Sequence, residues 1–137
     1  MAGSKSDYLE NKILDIILGA TSYTPAANTY IALSTSAYSD AATGASCNEV
    51  SGGSYARVSA TNNATTWPNA SGGVKANGIV FTFPAASGSW GTVQSFYIVD
   101  ANSSGNILYG ADLTSARAIT TGDTASFAVG AITITES

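Results

Sequence analysis

The spacing of hydrophobic positions changes once along the chain, near residue 20. In "DYLENKILDIIL", residues 7–18, Leu9, Ile13, Ile16 and Ile17 recur at i, i+4, i+7 and i+8, which is the spacing of one helix face. Asp7 stands where a capping side chain is wanted, and Glu10 completes the capping-box spacing three residues later. Gly19 follows as a left-handed terminator. The pattern predicts one N-terminal α-helix over about 7–18.

After "ATSYTPAAN" the period falls to two, or the apolar run is short and continuous. "TYIALS" (29–34) reads as a buried strand. "YARVSA" (55–60) places Tyr55, Arg57 and Ser59 on one face and Ala56, Val58 and Ala60 on the other. "GIVFTF" (78–83) alternates Ile79, Phe81 and Phe83 against Val80 and Thr82, and stops at Pro84. "TVQSFYIVD" (92–100) and "NILYGADL" (106–113) are long enough for central strands, while "TASFAVG" and "AITITES" close the chain on either side of Gly130. Strands spaced this way, with turn residues between them, predict a mainly β fold: an antiparallel β-sandwich, jelly-roll-like, with one N-terminal helix. The length of 137 residues suits one domain over 1–137. The longest loops, 35–54 and 61–77, are the candidate interaction surfaces, with Tyr38 and Trp67 as candidate contacts, although core or interface packing is the preferred reading of the aromatic rings over a sugar-binding face.

Composition sharpens the class. Charged residues make up 10% of the chain, against about 25% in an ordinary soluble domain. Ser, Thr, Asn and Gly fill the polar surface instead, which fits a virion or extracellular β-protein packed against copies of itself. The net charge is −4, and Lys5, Lys12, Arg57, Lys75 and Arg117 are scattered. Phosphate backbones and anionic membranes attract clustered cations, so neither nucleic acid nor membrane is an expected partner. Asp7, Glu10 and Asp15 interrupt the apolar start, so no secretory leader is expected.

Candidate chemistry is sparse. The chain has no histidine, which removes Ser-His-Asp and Cys-His catalysis and histidine zinc sites together. Cys47 is the sole cysteine and lacks a neighbouring base, so it reads as an incidental small residue. "SGGV" and "SGGS" lack the spacing and lysine of a phosphate loop. A glycosidase needs two carboxylates about 5–9.5 Å apart, and nothing selects a pair such as Glu49 with Asp100. In "DANSSGN", Asp100, Asn102, Ser104 and Gly105 match positions 1, 3, 5 and 6 of a calcium loop, but position 12 is Ala111. Asp, Asn and Gly are also what a tight connection between antiparallel strands requires, and that is the preferred reading. No cofactor is expected. Arg57 beside Tyr55 invites a tether: its guanidinium would stack on Tyr55 or bind a carboxylate, with Glu49 or Asp100 as partner.

The order of motifs carries a resemblance. "SDYLENKILDIILGA", "TYIALS", Glu49-Val50-Ser51-Gly52-Gly53 leading to Tyr55-Ala56-Arg57, Phe83-Pro84 leading to Trp90-Gly91-Thr92-Val93, the strands around Asp100 and Gly105, and Gly122-Asp123 follow one another. From end to end this resembles a family of small tailed-phage virion structural proteins, often labelled tail-fibre-like. Ser95-Phe96-Tyr97 stands where that family often has a histidine, which weakens any idea of a shared catalytic histidine. The resemblance implies virion localisation, no enzymatic activity, and partners among other virion proteins of the capsid or tail and copies of itself. The leading expectation is a head decoration or cement protein, because a short chain without a fibrous segment suits a surface clip. The alternative is a tail appendage or receptor-binding protein meeting a host-surface glycan. A carbohydrate-active enzyme is the alternative from another class.

Overall fold

The computed structural model describes residues 2–136. The elements run β1 (Ala2–Lys5), α1 (Asp7–Gly19), β2 (Asn28–Ser34), β3 (Val58–Thr61), β4 (Val74–Ala76), β5 (Phe81–Thr82), β6 (Gly91–Val99), β7 (Ile107–Ile119), β8 (Ser126–Phe127) and β9 (Thr133–Thr135). Seven strands form one sheet in the order β3-β2-β6-β7-β1-β9-β4, and β5 pairs with β8. The main sheet is mixed, since β1 lies antiparallel to β7 but parallel to β9. It curls strongly into a half-barrel. This corrects the antiparallel sandwich: β1 and β4 were not foreseen, and their insertion at one end lets a single sheet wrap round the core. "AGSK" and "VKA" are too short and too polar to show a period, and backbone pairing alone makes them strands.

The helix starts one residue earlier than its acid pattern implies. Ser6, not Asp7, is the N-cap: it is extended (φ −81°, ψ 162°), and its Oγ accepts from the Leu9 N–H at 3.2 Å. The same hydroxyl donates to the Ile107 carbonyl, so the cap also fastens the helix to β7. At the other end Gly19 remains helical and Ala20 takes the left-handed position (φ 53°). The predicted stripe is only partly used, with Leu9 buried, Ile13 and Ile16 half-buried and Ile17 exposed.

β2 and β6 are covered on both faces, which explains their nearly continuous apolar runs. Ile31, Leu33, Phe96 and Ile98 join the main core, where Tyr55, Trp90, Phe83, Phe127 and Phe96 contact one another in sequence with ring centroids 5.3–6.4 Å apart. Ala32, Tyr97 and Val99 face the other way, into a smaller cluster with Cys47, Tyr38 and Ala42 from the 35–54 loop. That loop is therefore a cover for the sheet's second face.

Two predicted strands are shorter than their sequence period. "YARVSA" becomes a strand only at Val58, because Tyr55 and Arg57 turn inward to side-chain partners. "GIVFTF" retains only Phe81–Thr82; Phe81 and Phe83 are buried while Ile79 stays exposed. Along β7, Leu113, Thr114, Ser115 and Ala116 stand opposite the single Gln94, between the pairs Val93↔Arg117 and Ser95↔Asp112. This insertion is a large bulge that interrupts the β6–β7 ladder.

Candidate functional site

Arg57 lies at the convergence of two loops. Its Nε donates to Glu49 Oε2 at 2.8 Å and one terminal nitrogen to Glu49 Oε1 at 2.7 Å, a two-point pair with the carboxylate. The other terminal nitrogen donates to the carbonyls of Ala101 (2.7 Å) and Ser104 (2.9 Å). A further bond reaches the Gly44 carbonyl at 3.2 Å. The Arg57 side chain is 3% exposed and that of Glu49 20%. Burial opposes the charge on Arg57, yet the Glu49 carboxylate holds its pKa above the ordinary arginine value.

Tyr55 completes the cluster. Its hydroxyl donates to Glu49 Oε2 at 2.7 Å and accepts from the Leu33 N–H at 3.0 Å, linking the loop to β2. Burial, then the bond to Glu49, pushes the phenol pKa up. Its ring packs edge-on against Trp90 at 5.3 Å, so the aromatic partner of Tyr55 is the core. Of the two acids suggested for Arg57, Glu49 makes the pair. Asp100 instead accepts from the backbone and side-chain N–H groups of Asn106, at 2.8 and 3.1 Å.

The structure places the calcium-like residues in a turn. Asp100 closes it through Asn106, Gly105 has φ 81° and Ser104 φ 50°. Two of its carbonyls, from Ala101 and Ser104, point at the guanidinium of Arg57. Asn102 is exposed. Among the described residues no cluster of three or more His, Cys, Asp or Glu side chains forms.

The interaction residues need correction. Trp67 is 6% exposed, packs on Phe81 at 5.5 Å, and its indole N–H donates to Thr29 Oγ1 at 3.2 Å. It is a core residue, because a large ring next to a buried hydroxyl gains more inside than at a loop tip. Tyr38 is half-buried: its hydroxyl donates to the Ser4 and Lys5 carbonyls at 3.2 and 3.1 Å, and its ring lies 5.3 Å from Tyr97. It pins the 35–54 loop to β1, and burial raises its pKa to about 12.

Gly44 and Ser34 were not foreseen. A Cβ on Gly44 would meet the Ser104 carbonyl oxygen at 1.9 Å, so only glycine lets the two loops touch. Ser34 is fully buried and donates to the Cys47 carbonyl at 2.5 Å. Both lie in Ser/Gly-rich sequence, where no pattern distinguishes a required small residue from an incidental one. The Cys47 thiol is buried with its pKa raised by desolvation, away from the thiolate form.

Two grooves open on the surface. One, about 350 Å³, has walls from Trp67, Ile98, Leu108, Tyr109 and Ile134 with Asn62, Lys75 and Glu136 among its polar groups. Glu136 is held by Lys5 and by the Tyr109 hydroxyl. The other, about 510 Å³, lies along the bulged half of β7, with Leu33, Val93, Leu113, Ile119 and Phe127 as its larger apolar walls and Arg117 beside them.

Comparison with curated proteins gives no match. A protein-family model does match, and its subject is a phage fibre protein. The head decoration and cement reading therefore finds no support, while its tail-appendage alternative does. The match takes in residues 4–135, nearly the whole chain, so the chain belongs to the family described as podophage GP4 fiber I protein gp80 and is a virion component.

Proposed function

We propose that this protein is a non-catalytic structural part of the phage tail appendage, built to hold fixed contacts with neighbouring virion proteins. The observation that carries this reading is the fibre-family match over residues 4–135. The fate of five of the nine acids agrees with it. Glu49 is bound by Arg57, Asp100 by Asn106, Asp112 by the Tyr38 N–H, Asp123 by Thr120 and Glu136 by Lys5. Carboxylates engaged in closing turns and loops are poorly placed for acid–base chemistry, which needs a group facing substrate. The loops 35–54 and 100–105, locked together by Arg57, present a stiff polar surface, and stiffness limits the entropy lost on assembly.

Immunogold labelling of intact particles tests the reading. Gold on the tail is the expected result; gold spread over the head would overturn it. A host-surface glycan is the second reading, favoured by the smaller groove, where the half-buried Tyr109 contributes a ring beside Asn62 and Lys75. Binding of soluble host polysaccharide to the isolated chain tests that one.

A further inference from the structure

Helix α1 has more apolar surface than its own chain covers. Leu14, Ile17 and Leu18 are 56%, 71% and 81% exposed, whereas Leu9 is the only apolar side chain of the helix that is fully buried. Leu14 and Ile17 stand three residues apart on one helix face, and Leu18 follows where the last turn leaves helical geometry (φ −110°, ψ 23°). A helix of this length is marginal in water and draws its stability from packing. Burial of aliphatic side chains is the main source of that packing energy, so a large share of what would hold α1 in place is unused.

The groove beside β7 has complementary chemistry. Its walls are Leu33, Val93, Leu113, Ile119 and Phe127, and no residue of α1 lines it. The chain's own helix is fixed elsewhere, since Ser6 bonds to the Ile107 and Leu108 carbonyls at the start of β7. The charges complement as well. Asp15 lies on α1 beside the apolar patch, and its carboxylate has no ion-pair or hydrogen-bond partner among the described residues. Arg117 at the groove is likewise exposed and unpaired among the described residues.

We infer that the exposed face of α1, through Leu14, Ile17 and Leu18, docks into the β7 groove of a second copy of this chain, with Asp15 meeting Arg117. The contact joins two different patches, so copies associate head to tail rather than about a two-fold axis. Helix-on-helix pairing is the poorer choice. It would bring Glu10 and Asp15 of both copies together, while the nearest helix cation, Lys12, lies over the Tyr8 ring at 5.6 Å. The inference goes beyond the tail-appendage reading and does not depend on it.

Sedimentation velocity on the purified full chain over a concentration series is the test. The wild-type chain is expected to associate as concentration rises. Leu18→Asp should abolish association while leaving the dilute melting temperature unchanged. Asp15→Arg and Arg117→Asp should each weaken it at least about tenfold, because like charges facing each other in a contact are strongly unfavourable. The double variant should recover it, and an equimolar mixture of the two single variants should recover it too, because each variant's helix then meets an oppositely charged groove on the other and the two alternate. A chain that stays monomeric throughout overturns the inference. So does association insensitive to Arg117→Asp, which would mean helix meeting helix, and so does a double variant that fails to recover.

Discussion

The loop cluster around Arg57 and the helix α1 are opposite cases of how a segment is held. In the cluster a buried cation meets a carboxylate and three carbonyls, and Tyr55 ties the same carboxylate to β2. No buried side-chain nitrogen or oxygen among the described residues lacks a partner. On the helix, the cap and Leu9 are anchored while the outer face carries three large aliphatics in solvent. One region is chemically complete within a single chain. The other leaves a large apolar surface that its own chain does not cover.

The difference follows from the kinds of interaction involved. Hydrogen bonds and ion pairs are directional, and an unpaired buried member costs far more than a pair gains. The loops must therefore satisfy themselves, or they would not hold this shape. Hydrophobic surface carries no such requirement. It can stay exposed at modest cost and be buried later, which leaves it free to serve assembly.

The sharpest way to break the contrast is Arg57→Ala. It leaves Glu49 and the Ala101, Ser104 and Gly44 carbonyls without their cation. The expected loss is about 3 kcal/mol, seen in urea unfolding as a lower midpoint. Arg57→Lys should recover only a minor part, because a lysine cannot make the two-point pair. A loss below about 1 kcal/mol would mean that the loops hold without the hub.

Alkaline pH probes the loop cover more gently. The Tyr38 phenol titrates near 10 when unfolded and at about 12 in the fold. Between those values the unfolded chain binds fewer protons, so stability falls as pH rises from 10 to 12 and is fully present below 10. Tyr38→Phe should flatten that fall when urea midpoints are compared across the window. Tyr109 is raised to about 12 by burial and Glu136, and it contributes a second part of the same sign.

The smallest effect belongs to the helix. Ile17→Ser at low protein concentration should change unfolding free energy by no more than about 0.5 kcal/mol, since the side chain touches little of its own chain. A loss of several times that size would show the helix face to be covered from within, and the contrast between the two regions would disappear.

Much of the fold was legible. The helix announced itself through Leu9, Ile13 and Ile16, and β2, β6 and β7 through long apolar runs. Arg57 stood out because cations are rare in this chain, and Glu49 was one of the two partners considered for it. Trp67 carried two readings, core packing and loop contact, since a tryptophan next to Pro68 in a polar stretch also suits a loop tip. The side of a loop on which a ring lies is set by the sheet beneath it. Gly44 gave no signal, for its requirement is a close approach between residues 44 and 104 that no local pattern encodes.

Periodicity and composition are local properties, and they showed α1, β2, β6 and the first half of β7, the scarcity of charge and the lack of histidine chemistry. Everything else came with the assembled backbone, including strands β1 and β4. The tertiary structure chose Glu49 over Asp100 for Arg57, laid the 35–54 loop over the second face of β2 and β6, and inserted β1 between β7 and β9 to make a curled mixed sheet. Each of these depends on contacts between residues far apart in the chain, whose energies exist only once the whole backbone is in place.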